Sequence, residues 1–258
     1  MATALFDRIV FGPVQSRRLG TSLGVNLLPT NWKLCSFNCV YCECGWTLKA
    51  DEKVQLPSRK EVEKELLAQL QRMAAENHLP DVITFAGNGE PTMHPDFANI
   101  IDDTIRLRNE LAPSCKIAVL SNATRIDKID VFNALLKIND NILKLDSAIE
   151  STAQLMDLPV GNYSVSKTIE NLARFEGKVI IQTMLLKGKV NGVPFDNTTA
   201  EETSALVDAM AKIKPRQVML YSISRDTPSD QLEKVNRETI EVLAEKIKAL
   251  GIDVQVTG

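Results

Sequence analysis

Short β-branched apolar runs alternate along the chain with longer stretches of helical period. The runs span Gly24 to Leu28, Val82 to Ala86, Lys116 to Ser121, Ile142 to Ser147, Lys178 to Leu186 and Gln217 to Ile223, with a shorter one at Ile252 to Val256. Runs this short are expected of strands, and their alternation with helical segments predicts successive βα units around a mainly parallel sheet. Six such units with a closing strand predict an α/β fold, a partial (β/α)6 TIM-like barrel whose active site lies at the C-terminal ends of the strands.

Punctuation residues place the helices between these runs. Ser58-Arg-Lys-Glu61 after Pro57 reads as a capping box that opens the first helix, and Thr199-Ala-Glu-Glu202 opens a later one in the same way. Pro95 suits the first turn of a helix running toward Leu111, and Gly251 suits a left-handed cap on the last helix. Gly188, Gly192 and Pro194 interrupt both periodicities, so residues 187–197 are expected to form the longest mobile loop. No linker, repeat or low-complexity tract divides the sequence, and residues 1–258 are expected to form one domain.

Length and charge narrow the function classes. A chain of 258 residues buries a large core without disulfides. A formal charge of −3 argues against a whole-molecule polyanion clamp, although local basic patches such as Arg17, Arg18 and Lys33 remain. The start MATALFDRIVFG has no charged region followed by an apolar one, and no stretch approaches the roughly 20 apolar residues that span a bilayer. A cytoplasmic protein without membrane contact is expected. Five cysteines is an odd count, and clustered thiols in a reducing compartment point to metal or redox chemistry.

The cluster is Cys35-Ser-Phe-Asn-Cys39-Val-Tyr-Cys42, within a loop of about residues 30–47. Thiolates that converge on one inorganic centre from a short loop need close, regular spacing. Three of them leave one iron of a [4Fe–4S] unit without a protein ligand, open to a cofactor or substrate. A structural zinc site is the alternative, with four N/S ligands that would recruit Cys44. Cys115 precedes a buried run and reads as core, His94 as packed or capping, and His78 as a solvated helix end. The expected barrel brings further motifs to the same face: Gly87-Asn88-Gly89-Glu90 after the second strand, Ser121-Asn122 after the third, and Asp146-Ser147 at the fourth.

At these residues the chain resembles the radical S-adenosylmethionine superfamily, whose signature CxxxCxΦC is matched by Cys35, Cys39, Tyr41 and Cys42. The resemblance implies that the three cysteines hold a [4Fe–4S] cluster, that its free iron chelates the amino and carboxylate groups of S-adenosylmethionine, and that Tyr41 packs near the adenine. Gly87-Asn88-Gly89-Glu90 is similar to the family's Gly-Gly-Glu motif, with Asn88 in place of one glycine, and Glu90 would orient the methionyl amine. Asn122, Asp146 and Ser147 either close turns and cap helices or bond the cofactor's ribose and carboxylate. The tract from Phe11 through Arg17 and Arg18 to Gly24, running on through Gly45-Trp-Thr47, is similar to single-domain relatives of the wyosine-forming tRNA modification enzymes.

What the resemblance implies is reductive cleavage of S-adenosylmethionine to methionine and a 5′-deoxyadenosyl radical, which abstracts hydrogen from a small-molecule, protein or RNA substrate. A low-potential electron donor of flavodoxin or ferredoxin type is implied as partner. Arg17 and Arg18 serve as structural ion-pair donors or hold a substrate carboxylate or phosphate. Tyr221, Ser224 and Arg225 close the last long strand, where substrate or adenine can rest. Open alternatives are an activating enzyme for a glycyl-radical partner, a tRNA base-modifying enzyme, and a non-catalytic zinc module.

Overall fold

The computed structural model describes residues 4–16, 18–47, 55–225 and 227–257. Strand β1 (Val10–Ser16) turns into β2 (Gly20–Val25), and the two pair antiparallel. From β2 onward the main sheet is parallel, through β3 (Val82–Phe85), β4 (Lys116–Ser121), β5 (Asp140–Lys144), β6 (Ile180–Met184), β9 (Gln217–Tyr221) and β11 (Asp253–Thr257), in the order β1-β2-β3-β4-β5-β6-β9-β11. A smaller sheet, ordered β10-β7-β8, is built from β7 (Leu186–Val190), β8 (Val193–Asp196) and β10 (Leu232–Lys234).

Helices α1 (Arg59–Ala75), α2 (Phe97–Leu111), α3 (Ile129–Leu136), α4 (Glu150–Asp157), α5 (Val165–Ala173), α6 (Ala200–Ile213) and α7 (Arg237–Lys248) supply the crossovers. The result is the expected α/β partial barrel, left open between the edge strands β1 and β11. Among the described residues no helix is long and apolar enough to cross a membrane.

Local chemistry explains the boundaries. Ser58 and Glu61 form the anticipated capping box at α1. Thr199 accepts the Glu202 N–H at α6, whereas the Glu202 carboxylate turns away to accept from Ser147. Helix α2 starts two residues later than Pro95 suggests, because His94 Nδ1 accepts the Asp96 N–H and ties that residue into the preceding turn. Gly251 adopts a left-handed φ of +79° just past α7 and donates to Lys248 O, as anticipated.

The first parallel strand runs over Gly20–Val25 rather than Gly24 to Leu28. Leu27 and Leu28 are buried, but the Asn26 amide bonds both the N–H and the carbonyl of Leu28 and withdraws them from the ladder. Residues 187–197, read as a loop, form the β7–β8 hairpin, with its turn at Asn191 and Gly192, which both adopt positive φ.

Helix–sheet packing forms the larger core, including Leu66, Phe85, Ile117, Leu143, Leu172, Ile181 and Leu206. Inside the barrel Ile142, Ile180 and Met219, with Leu19 and Leu120 against them, make an apolar floor. Each such buried side chain contributes about 1.5–3 kcal/mol. The floor closes one end of the lumen, so polar groups above it face a bounded space.

Candidate functional site

The segment after β2 carries the cysteines and is clamped from two sides. On one side Leu34 bridges Gly89: its N–H donates to Asn88 O at 2.9 Å, and its carbonyl accepts the Glu90 N–H at 3.1 Å. Gly89 sits at φ +138°, where a Cβ would lie 1.8 Å from Leu34 O. Gly87, at φ +148°, is pressed against Asn26 Oδ1 in the same way. Gly89 therefore allows a backbone-to-backbone contact that no side chain permits, and Gly87 lets the Asn26 side chain pack directly against the main chain. On the other side the end of α4 holds the loop, with Asn38 N–H donating to Asp157 O and Val40 N–H to Met156 O, both at 2.9 Å.

Asn88 is wholly buried and structural. Its amide nitrogen donates to Phe6 O and Pro29 O, and its Oδ1 accepts the Phe6 N–H. Glu90, also buried, accepts at Oε1 from Thr92 N–H, Thr92 Oγ1 and Ser121 Oγ, and at Oε2 from Asn122 N–H at 2.6 Å. Burial pushes its carboxyl pKa up, and those hydrogen bonds oppose the push. Glu90 thereby joins the ends of β3 and β4. Asn122 reaches on to the cysteines, with Nδ2 donating to Ser36 Oγ at 2.8 Å and to Cys35 Sγ at 3.5 Å.

The thiols differ in their surroundings. Burial, and then the Glu90 carboxylate, raises Cys35 to about 11. Burial also raises Cys39, although Lys144 Nζ donates to its sulfur at 2.9 Å. Cys42 is lowered to about 5, chiefly by a hydrogen bond from the Cys44 thiol and also by the Lys33 ammonium, against burial. Cys44 is correspondingly driven up, and its sulfur also lies 3.4 Å from Gly87 O, which competes for the same thiol proton. Lys33 is 2 % exposed and donates to Gly45 O, so it is not the surface charge that the sequence suggests.

Among the described residues no three His, Cys, Asp or Glu side chains surround a common single-ion position. A cubane spreads its thiolates over separate irons, so three thiols on one eight-residue loop fit it by donor chemistry.

Tyr41 donates to Asp146 Oδ2, and Asp146 Oδ1 accepts the Met184 N–H at 2.8 Å. Ser147 caps the turn into α4 by accepting the Ile149 N–H, and donates to Glu202, so its hydroxyl is committed to structure. Beneath the loop lies a cavity of about 430 Å³ whose lining includes Arg18, Tyr41, Glu43, Met184, Tyr221 and Arg225. Ser224 also lines it. Arg225 pairs with Glu43 at the exposed rim at 2.7 Å. Arg17 lies outside the described residues. His94 is packed, with Nδ1 accepting and Nε2 therefore donating to Pro57 O at 2.8 Å; His78 is exposed at the end of α1, and Cys115 is core.

Sequence reading missed Lys144, Asp157 and Gln182. Lys144 is buried between Asp146 at 3.1 Å and Asp157. Burial alone would lower its pKa, but the two carboxylates more than offset this and hold it above the ordinary value. The available signal was a lysine inside an apolar strand, two residues from the floor residue Ile142, where a charge survives only with partners.

A partial barrel with a three-cysteine loop over its lumen defines the class, and the chain belongs to the radical SAM superfamily, which it matches over residues 32–198. Its cofactors are accordingly a [4Fe–4S] cluster and S-adenosylmethionine, and it is an enzyme that needs a reductant and a substrate. It is 33% identical over 257 residues to a UPF0026 protein of Methanocaldococcus jannaschii, covering 94% of this chain and 75% of that one. It is 31% identical over 236 residues to a protein named GTPase Obg of Brachyspira hyodysenteriae, covering 90% of this chain and 32% of that one. A radical SAM methyltransferase from Sphaerobacter thermophilus superposes with a TM-score of 0.65 at 15% identity, over 92% of this chain and 65% of that one, which shows a shared fold. The chain thus spans less than two thirds of the length of the latter two proteins.

Proposed function

We propose that Cys35, Cys39 and Cys42 ligate three irons of the cluster and that the loop presents the fourth to S-adenosylmethionine. When bound, the pair supplies one-electron reductive cleavage of the sulfonium C–S bond, which gives methionine and a 5′-deoxyadenosyl radical that takes a hydrogen atom from the substrate. The protein's part is placement. Gly89 docks the loop on the strand end, Tyr41 forms the roof of the cavity where the adenine packs, and Asp146 fixes Tyr41 by accepting its hydroxyl proton. Glu90 fixes Asn122, which in turn steadies the Cys35 sulfur. Gly87, Asn88 and Gly89 offer backbone rather than side chains to the cofactor, since the Asn88 amide is spent on Phe6 and Pro29.

The observation that carries this reading is the position of the cysteine loop, held at the C-terminal mouth of the barrel with Tyr41 and Glu43 facing the cavity. A low-potential donor of flavodoxin or ferredoxin type serves as reductant, because protein clusters reach potentials as low as about −700 mV. Anaerobic reconstitution should give about four irons and four sulfides per chain, and dithionite with S-adenosylmethionine should give 5′-deoxyadenosine. Cys39→Ala should lose both. Tightly bound zinc with no iron would overturn the reading.

A further inference from the structure

Among the described residues between β1 and β2, Arg18 is the cation that lines the lumen. Ser16 Oγ accepts the backbone N–H groups of Arg18 at 3.3 Å and Leu19 at 3.2 Å, which ties both residues to the end of β1. Leu19 packs into the floor, and Arg18 lines the cavity above it. The guanidinium lies 4.8 Å from the Tyr221 ring centroid and gives one N–H to Gln182 Oε1 at 3.0 Å. The Gln182 amide nitrogen donates in turn to Tyr221 Oη at 2.5 Å. Stacking and hydrogen bonding together set the plane of the guanidinium while leaving most of its five N–H groups unused among the described residues.

Charge and hydrogen-bond character agree on what the lumen lacks. Of the charged residues that line it, Glu43 and Arg225 neutralise each other at the rim, while Arg18 has no carboxylate partner among the described residues. Tyr221 accepts from Gln182 and keeps its own proton to give. Ser22 and Thr84 share one hydrogen bond at 2.8 Å, which leaves one of their two hydroxyl protons spare. A positive charge without an acidic partner among the described residues thus sits beside hydroxyls that still have protons to give. Holding such a charge half-buried is costly until an anion arrives, and the planar guanidinium matches a carboxylate in two-point contact.

We infer that Arg18, Gln182 and Tyr221 form a recognition site for a carboxylate on the substrate, an assignment that rests on the proposed radical reaction for the occupant's role. Among the described residues, one unpaired guanidinium flanked by neutral donors suits a monoanion. The cavity of about 430 Å³ lies toward the lower end of ligand pockets, and the cofactor's nucleoside shares it. The carboxylate therefore belongs to a small molecule whose reacting C–H bond lies between Arg18 and the cysteine loop.

The test titrates isotopically labelled acetate, the smallest convenient carboxylate, into anaerobically reconstituted, oxidised protein saturated with S-adenosylmethionine, and reads binding from the carbon NMR line width. Expected is saturable binding that methyl acetate does not show, that Arg18→Gln weakens about ten-fold or more, and that Arg18→Lys partly retains. Iron content and melting midpoint check that each variant folds. No binding to the wild type, or equal binding by Arg18→Gln, overturns the assignment. Binding that S-adenosylmethionine abolishes also overturns it, since the carboxylate would then be the cofactor's own. Inorganic phosphate binding more tightly than acetate overturns the carboxylate class. Failure of the radical reading is separately visible as wild-type protein without iron or 5′-deoxyadenosine.

Discussion

Lys144 donates to the sulfur of Cys39 across 2.9 Å while its ammonium is held by Asp146 and Asp157 and lies about 5 Å from the rings of Phe37 and Tyr41. A buried cation is thus fixed against one of the thiols proposed to carry the cluster. A charge-assisted hydrogen bond to a ligand sulfur favours the more negative, reduced state of that centre. Lys144→Met should lower the midpoint potential on the order of 60 mV, a tenfold change in a one-electron equilibrium. It should also destabilise the fold by about 3–5 kcal/mol, because two buried carboxylates lose their counter-charge. Lys144→Arg keeps the charge and should restore most of the potential. A redox titration followed by electron paramagnetic resonance reads the shift, and equal potentials in wild type and Lys144→Met would remove the role.

The inequality of the loop thiols can be measured in metal-free protein. With Cys42 at about 5 and Cys35 at about 11, the first is a thiolate at pH 7 and the second is not. Burial keeps Cys39 protonated as well. Iodoacetamide at pH 7 should therefore label Cys42 first, with a rate that falls as pH drops through about 5. Cys35 labelling should rise only as pH climbs toward about 11. Cys44→Ala removes the thiol hydrogen bond and should move the Cys42 profile up toward the ordinary 9.0. Peptide mapping by mass spectrometry follows each site, and uniform labelling of the three would contradict this electrostatic picture.

The central parallel strands β3 to β6 and β9 were legible in the sequence because strands buried on both faces read as nearly unbroken apolar runs, whereas β2, with Gly20, Thr21 and Ser22, was placed too late. β1 was not: Val10, Phe11 and Val14 are separated by Gly12 and Pro13, and an edge strand with one partner tolerates that composition. The hairpin at 187–197 was hidden for a related reason, since Gly188 and Pro194 sit in a small sheet away from the main core. Within the site, the cysteines, Tyr41 and the glycine tract were legible because their spacing is local. Lys144, Asp157 and Gln182 were not, because their meaning depends on neighbours 13 to 164 positions away, such as Arg18 for Gln182. Sequence also suggested that Asn88 merely stands in for a glycine, whereas its amide fastens Phe6 and Pro29 to the strand end.

Gly89 offers a sharp test of how the loop is held. A methyl group there would meet Leu34 O at 1.8 Å, and that atom is backbone within the segment leading to Cys35. Gly89→Ala cannot be absorbed by a rotamer change, so the bridge must open. We expect a loss of at least about 2 kcal/mol, together with iron content after reconstitution well below that of the wild type. A variant that melts and binds iron like the wild type would show that docking at Leu34 is dispensable.

Glu90 and Asn122 separate a side-chain effect from a backbone one. Glu90→Ala strands the Thr92 and Asn122 N–H groups and the Ser121 hydroxyl in a buried setting, which should cost about 3 kcal/mol or more. Glu90→Gln is nearly isosteric, yet its NH2 must face either the Asn122 N–H or the Thr92 N–H, donor against donor, while the Thr92 and Ser121 hydroxyls can turn to accept, so it should recover only part of the loss. Asn122→Ala leaves the backbone bond to Glu90 intact and loses only contacts to Ser36, Cys35 and Thr124, for about 1 kcal/mol. Melting midpoints should therefore fall in the order Asn122→Ala, Glu90→Gln, Glu90→Ala, with S-adenosylmethionine affinity following the same order as the ends of β3 and β4 part. An Asn122→Ala protein less stable than Glu90→Ala would mean that the carboxylate serves the cofactor alone and does not hold the two strand ends together.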